Sequence, residues 1–243
     1  MALFSLSGGL VYHARAARYR EGLWAPFRRD VAAWLAEVLP AGDELILVGP
    51  SAGHCLPLAH FSRFARLTLL EPDPVARWLL LGRLSQPRVE VEPHDQLLQP
   101  LLHDRAGLDA VLERRPRAAV LFCNLLGQLQ LELGHDEQQR FVREFRRRIV
   151  PQLAGRRWAS FHDHWSLDRD VTAPAVPSPI ALPHIPSDEE LGRACFGPDG
   201  AAVTVLEHGT RELFPEPGPR RYFAWQLTPS ALHVVEAVSG AAD

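Results

Sequence analysis

Two short apolar runs, each ending in a break of definite chemistry, constrain the fold of this chain more than any other feature. The first is Glu44-Leu-Ile-Leu-Val-Gly-Pro-Ser-Ala-Gly53, and its echo is Leu67-Thr-Leu-Leu-Glu-Pro-Asp-Pro74. Unbroken apolar positions over 45–48 suit a strand covered on both faces by helices. Gly49 and Gly53 then allow a tight turn that leads into a helical pattern. The second run ends on a carboxylate, Glu71, and also enters a helical pattern. A small-residue turn after one strand and an acid after the next is how the opening strand–helix–strand unit of a nucleotide-binding sheet reads.

The same alternation continues on both sides of this unit. Val31, Trp34, Leu35, Val38 and Leu39 recur at spacings of three and four, which predicts a core-facing helix over 27–39. Pro40-Ala-Gly-Asp43 stops it. An Arg- and Tyr-rich helix is expected over 10–21, either as a solvated surface or as a flap over a cofactor mouth. Helices are expected at 56–64 and 75–84, the second with Val75, Trp78, Leu79 and Gly82 facing inward. Strands are expected at 67–70, 88–92, 118–123 and 158–161, with a helical piece over 97–112 and a helix over 136–149 whose outer face is charged. Strand followed by helix, repeated along the chain, predicts an α/β fold: a doubly wound, mostly parallel sheet of about seven strands with helices on both faces.

The pattern changes after the fifth strand. The stretch 172–186 holds Pro174, Pro177, Pro179, Pro183 and Pro186, which excludes a helix or a central strand. A connection this long serves in many domains as a lid or binding loop. Ser187-Asp-Glu-Glu190 reads as an N-cap with acids in the first turn of a short helix ending near 195. Strands are expected over 201–207, 210–214, 221–227 and 232–235, closing the sheet with an antiparallel C-terminal pair. One domain results: a helical cap (1–42), a cofactor-binding core (43–165), the Pro-rich loop (166–187) and a β-rich end of the same sheet (188–243).

Charge and residue usage narrow the function classes. The formal net charge of −3 gives no bulk reason to expect nucleic acid or an anionic membrane as partner. All 26 basic residues are Arg, which removes Schiff-base and Lys-nucleophile chemistry. Cys55, Cys123 and Cys195 show no CxxC or other metal spacing, so reduced thiols in a cytoplasmic protein are expected. The first residues lack the basic start and long apolar core of a signal peptide. The longest apolar runs are too short to span a bilayer.

With these elements in place, the chain resembles the class I S-adenosylmethionine-dependent methyltransferases over roughly residues 30–240, most strongly across 44–95. That family has a Rossmann-like sheet, and its first motif is an acid followed by Gly-x-Gly-x-Gly. Here Gly49 and Gly53 match, Ser51 stands for the middle Gly, and Leu47 stands for the acid. The aminopropyltransferase branch of the fold similarly lacks that acid. The resemblance implies S-adenosylmethionine as cofactor, held by Gly49, Ser51, Gly53, Glu71, Asp95 and Asn124. Glu71 would accept hydrogen bonds from the ribose hydroxyls, since two vicinal hydroxyls suit one bidentate carboxylate. Asp95, with His94 beside it, would meet the adenine amino group, and Asn124 would face the methyl group. Leu125-Leu126-Gly127 after Asn124 does not form the Asn-Pro-Pro-Tyr signature of enzymes that methylate amino groups of nucleic acids or proteins. A small-molecule acceptor is therefore expected, with no nucleic acid and no membrane; the oligomeric state is open.

His162-Asp-His164-Trp165 follows the fifth strand and is expected as a turn. Its two histidines lack a third and fourth metal ligand nearby, and no metal is expected. His162 or His164, with Asn124, would serve the acceptor: an imidazole titrates near neutrality and can take a proton from a hydroxyl or amine. Two other readings stay open. Gly49-Pro-Ser-Ala-Gly53 also matches the nucleophile elbow of α/β-hydrolases, with Ser51 as nucleophile, His208 or His233 as base, and Asp163 or Asp168 as orienting acid. Alternatively, Leu47 and Ser51 mark a non-catalytic scaffold of methyltransferase-like fold.

Overall fold

An apolar strand needs cover on both faces, and the first strand gets it residue by residue. In the computed structural model, which describes residues 9–85, 88–92, 98–103, 105–214 and 218–240, β1 covers Gly42–Val48. Leu45 and Leu47 enter one buried cluster, with Val31, Leu35, Phe61 and Leu80. Ile46 and Val48 enter another, with Val111, Leu112, Phe141 and Phe145. Burial of each such side chain is worth about 1.5–3 kcal/mol, so an uninterrupted apolar run is favoured here. The first cluster is supplied by α1 (Gly9–Tyr19), α2 (Ala25–Val38), α3 (Leu58–Phe61) and α4 (Pro74–Leu81). The second is supplied by α5 (Leu108–Arg114), α6 (Leu126–Leu131), α7 (His135–Arg148) and α8 (Val150–Leu153).

The remaining strands are β2 (Phe64–Leu70), β3 (Val89–Val91), β4 (Ala119–Cys123), β5 (Trp158–Asp168), β6 (Ile180–Leu182), β7 (Leu206–Glu207), β8 (Arg220–Thr228) and β9 (Ala231–Gly240). They form one sheet in the order β3-β2-β1-β4-β5-β9-β8-β6, with β7 beside β5. The first five are parallel, and β9 runs antiparallel to both β5 and β8. This is a doubly wound, Rossmann-like α/β fold. The order reverses between β1 and β4, and in open sheets of this kind ligands bind beyond the carboxyl ends of the strands at that point. Val48 lies level with Leu70 and with Phe122. Gly49, Glu71 and Asn124 therefore follow their strands at one edge of the sheet.

Several elements differ from their expected form. The helix expected over 56–64 is the single turn α3, because Pro57 precedes it and β2 already begins at Phe64. The helix over 75–84 forms, but in another phase. Asp73 caps α4 through the amides of Val75 and Ala76, so Ala76 and Leu80 face inward while Trp78 is 72% exposed. The piece over 97–112 divides into a 3-10 turn (Gln99–His103) and α5. Strands over 201–207 and 210–214 reduce to β7, with a 3-10 turn (Pro198–Ala202) before it. The helix opened by Ser187 is α9 (Asp188–Phe196), and Ser187 Oγ accepts from the Glu190 amide at 3.1 Å. The Pro-rich stretch contains β6, an edge strand on β8, a place sheets tolerate proline. Ser178 fastens it there, donating to Asp30 and accepting from the Ala224 amide. That edge is the opposite end of the sheet from β2.

The largest difference lies in β5. The expected strand over 158–161 runs on to Asp168, because β9 pairs with it along its whole length. His162-Asp-His164-Trp165 is therefore strand, not turn. Helix α6, which the sequence reading missed, follows β4 and approaches β5 closely. A Cβ on Gly127 would stand 2.5 Å from the Asp163 carbonyl oxygen and 3.0 Å from its Cβ. Gly127→Ala tests this approach. Helix propensity favours Ala by about 1 kcal/mol, whereas overpacking against backbone costs typically about 1–3 kcal/mol. The clash is expected to win, and urea unfolding is expected to show a net loss of stability; a more stable variant would mean that α6 and β5 stand further apart.

Candidate functional site

The turn after β1 is built on alternate residues in the left-handed region: Gly49 at φ 64°, Ser51 at φ 50° and Gly53 at φ 68°. Side chains at the two glycines would also collide with their neighbours. A Cβ on Gly49 would meet Leu125 at 2.7 Å, and one on Gly53 would meet Leu80 at 2.8 Å and Leu58 at 2.9 Å. Ser51 thus holds its Cβ in a conformation that costs a non-glycine residue about 1–2 kcal/mol. Leu47, at the place of the missing acid, is fully buried in the core.

Glu71 closes the turn from the side of β2. It is 5% exposed, and its Oε2 accepts the Ser51 amide at 2.6 Å while Oε1 accepts the Asp73 amide at 3.0 Å. Burial raises its pKa to about 7, against the pull of those two amides. Arg77 Nη1 donates to the Glu71 carbonyl oxygen at 2.9 Å. Each carboxylate oxygen has a further lone pair for a hydroxyl donor. Asp95 and His94 lie outside the described residues.

Asn124 follows β4 at φ 53° and is 8% exposed. Its side chain is committed to β5: Oδ1 accepts the Asp163 amide at 2.8 Å, and Nδ2 donates to Asp163 Oδ2 at 3.3 Å. Asp163 Oδ1 in turn stands 3.1 Å from His233 Nδ1 on β9, off the line of a hydrogen bond but within close electrostatic reach. Burial pushes the Asp163 pKa up. The His233 and His208 imidazoles and the Asn124 amide outweigh it, and the carboxyl is held below its ordinary value. Thr210 Oγ1 donates to the Asp163 carbonyl oxygen at 3.2 Å, and His208 Nε2 meets Ser166 Oγ at 3.0 Å. Helix α1 docks on the exit of the turn, with the Tyr12 hydroxyl 3.5 Å from Cys55 Sγ and His13 Nδ1 3.2 Å from His54 Nε2. Burial pushes the Cys55 thiol up to about 12, so it is neutral.

The strand's alternation sends His162 to the other face. It is fully buried, with Nδ1 2.9 Å from Ser160 Oγ and Nε2 3.1 Å from Glu236 Oε2. The Tyr222 hydroxyl donates to Glu236 Oε1 at 3.1 Å, and Arg220 stands 3.7 Å from it. Burial pushes the Glu236 pKa up, but His162, His164 and Arg220 hold the carboxyl at about 2. His164 is 6% exposed, and neither ring nitrogen has a hydrogen-bond partner among the described residues. Burial lowers its pKa to about 4.

The structure thus brings Gly49, Ser51, Gly53 and Glu71 together, and joins Asn124 to Asp163 and His233. It sets His162 and His164 apart, in contact with Glu236 and Tyr222. The alternation that separates His162 from Asp163 comes from a strand where a turn was expected, and its partners on β9 were not readable in the sequence either. Ser51 has no histidine bonded to its hydroxyl among the described residues, and only helices precede β1 there. Glu71 lines neither of two clefts. One of about 340 Å³ is lined by Glu21, Arg28, Arg29, Leu56 and Pro57 among others, and one of about 320 Å³ lies under the Pro-rich stretch. The carboxyl edge, not cleft size, gathers the chemistry, so the site is placed there.

No family model matches the chain, and no curated protein matches it. Among solved structures it is similar to DhpI in its complex with SAH, at 16% identity over 93% of this chain and 92% of that one, with a TM-score of 0.40. It is also similar to the N-methyltransferase NodS from Bradyrhizobium japonicum with S-adenosyl-L-homocysteine, at 14% identity over 92% and 98%, TM-score 0.44. A third is the sugar N-methyltransferase KedS8 from Streptoalloteichus, at 15% identity over 100% and 76%, TM-score 0.36. At such identities and scores these are likenesses only, and function has to be read from the residues at the carboxyl edge.

Proposed function

We propose that the chain is an S-adenosylmethionine-dependent methyltransferase with a small-molecule acceptor. One observation carries the reading: a buried carboxylate, Glu71, at the carboxyl end of β2, facing a turn of three alternate left-handed residues after β1. The residues present fit the cofactor's ribose, because Glu71 has a lone pair free on each oxygen for a pair of vicinal hydroxyls. They depart from the family at Leu47, which offers no carboxylate.

When bound, the cofactor supplies the electrophilic methyl group. The protein's part is positioning and proton handling. Glu71 and the turn would fix the nucleoside. Asn124 holds Asp163, and Asp163 orients His233, whose remaining ring nitrogen would take a proton from an acceptor hydroxyl or ammonium. This moves the acceptor-side role from His162 and His164, which are buried against Glu236 and Tyr222, to His233, whose side chain is 16% exposed. Helix α1, seated on Cys55 and His54, would limit water at the reacting centre.

Calorimetry with S-adenosylhomocysteine tests the reading. A diol donates best to the ionised Glu71, so binding is expected to release a proton below pH 7. It is also expected to tighten about tenfold between pH 6 and pH 8. No binding at millimolar ligand would favour the scaffold.

Glu71 also makes stability depend on pH. Its pKa is raised from 4.5 to about 7 in the folded state, so its contribution is complete below 4.5 and is lost as pH rises through 7. Across that window the wild type is expected to lose about 3 kcal/mol relative to Glu71→Gln, seen in paired urea titrations. A constant difference between the two proteins would place the Glu71 pKa near its ordinary value. His233→Gln is expected to slow turnover about 10²–10⁴-fold on an acceptor found by screening for S-adenosylhomocysteine release. Its affinity for S-adenosylhomocysteine should be unchanged, and undiminished turnover would remove His233 from the mechanism.

A further inference from the structure

Three guanidinium groups lie where α1 and α2 meet the exit of the turn after β1: Arg28 Nη1 donates to the Arg20 carbonyl oxygen at 3.2 Å, and Arg83 bonds to the turn itself. Arg83, just past α4, donates to the Ala52 carbonyl oxygen and reaches His54 Nδ1 at 3.5 Å. Arg28 on α2 and Arg20 past α1 lie close enough to act on it: burial lowers the Arg83 pKa, and both neighbouring charges lower it further. The same arginines, with burial and His13, bring His54 down to about 4. The counter-charge is Glu21, 3.3 Å from Arg28 Nη1 and 3.5 Å from Arg20 Nε. Its side chain is 78% exposed, whereas those of Arg20 and Arg28 are 31% and 23% exposed. Arg28 Nε and His13 Nε2 are buried without a hydrogen-bond partner among the described residues.

Arginines on a surface are ordinarily solvated and need no ligand. Here Arg20 and Arg28 are half-buried, share the exposed Glu21 as their contacting acid, and leave Arg28 Nε without a partner among the described residues, an arrangement that an anion relieves. Guanidinium forks fit carboxylate and phosphate oxygens in pairs. Arg28 also lines the cleft of about 340 Å³, together with Glu21, Arg29, Leu56 and Pro57, which gives room for a small molecule. Leu56 and Pro57 directly follow Cys55, and both Cys55 and Tyr12 feel the Asp163 charge. The cleft therefore adjoins the exit of the turn, where the Tyr12 hydroxyl of α1 meets Cys55 Sγ at 3.5 Å.

We infer that Arg20, Arg28 and Arg83 bind the carboxylate or phosphate group of a small molecule. On the methyltransferase reading, on which this second part rests, that molecule is the methyl acceptor. Thermal unfolding of the full chain with inorganic phosphate, at ionic strength held constant with chloride, tests it. Phosphate at ten times its dissociation constant is expected to raise Tm by about 4 °C. The rise should vanish in Arg28→Gln, and in Arg20→Gln should the first variant not fold. It should persist in saturating S-adenosylhomocysteine. Equal stabilisation by chloride, or a phosphate effect untouched by both substitutions, would overturn the site. Competition with S-adenosylhomocysteine but not with methylthioadenosine, which lacks the amino-acid arm, would assign the cluster to the cofactor's own carboxylate and overturn the acceptor. Should S-adenosylhomocysteine not bind at all while phosphate does, the methyltransferase reading falls and the anion site stands.

Discussion

A carboxylate taken out of water must be given donors, and Glu71 shapes the carboxyl edge through that requirement. Its two oxygens draw in the amides of Ser51 and Asp73, which belong to the exits of β1 and β2. The turn after β1 is thereby bent toward β2, and Asp73 is set to cap α4. The cap fixes the phase of the helix, and with it the inward placing of Leu80, which packs where a Gly53 side chain would lie. One buried acid thus links turn, cap and helix face.

A second set of contacts relays position across the sheet. Gly49 touches Leu125 after β4, Gly127 touches Asp163 on β5, and Asp163 meets His233 on β9. The first two steps depend on an approach closer than a side chain would allow, so a glycine marks each of them; the third is a side-chain contact. The long β5–β9 pairing then separates two kinds of chemistry. On one face His162, Glu236, Tyr222 and Arg220 form a buried polar network. Removing one member of such a network leaves an uncompensated buried charge, which destabilises strongly. On the other face the Asp163 carboxylate is buried, and its neighbour His233 keeps partial access. The same four-residue stretch, 162–165, therefore contributes to stability through His162 and to the candidate site through Asp163.

The central strands and the turn were legible because burial on both faces leaves a continuous apolar signal, as in 45–48, and because Glu71 follows its run directly. The length of β5 was not legible. His162, Asp163 and His164 are polar, and what makes them strand residues is a pairing with β9 some seventy positions on, at Glu236 and Val235. The phase of α4 was misjudged since Trp78 is apolar yet exposed; the Asp73 cap, not hydrophobicity, decides it. Of the strands expected over 201–207 and 210–214, the first loses its start to the 3-10 turn Pro198–Ala202, and the second is a turn closed by the Leu213 amide on the Thr210 carbonyl oxygen. His233 entered the sequence reading only as a hydrolase base, for want of any sign that Asp163 would lie beside it.

Ser51 remains the oddity of the turn, and its bond to Glu71 accounts for it. A left-handed residue with a Cβ is disfavoured by about 1–2 kcal/mol. A hydrogen bond to a charged acceptor stabilises by about 1.5–3 kcal/mol. The 2.6 Å contact from the Ser51 amide to Glu71 is therefore sufficient to hold the turn without a central glycine. It is sufficient only while Glu71 is ionised, and burial places that ionisation at about 7. The departure from glycine thus ties the shape of the turn to the charge of the acid that faces it, so that a ligand favouring the carboxylate would also favour the turn that receives it.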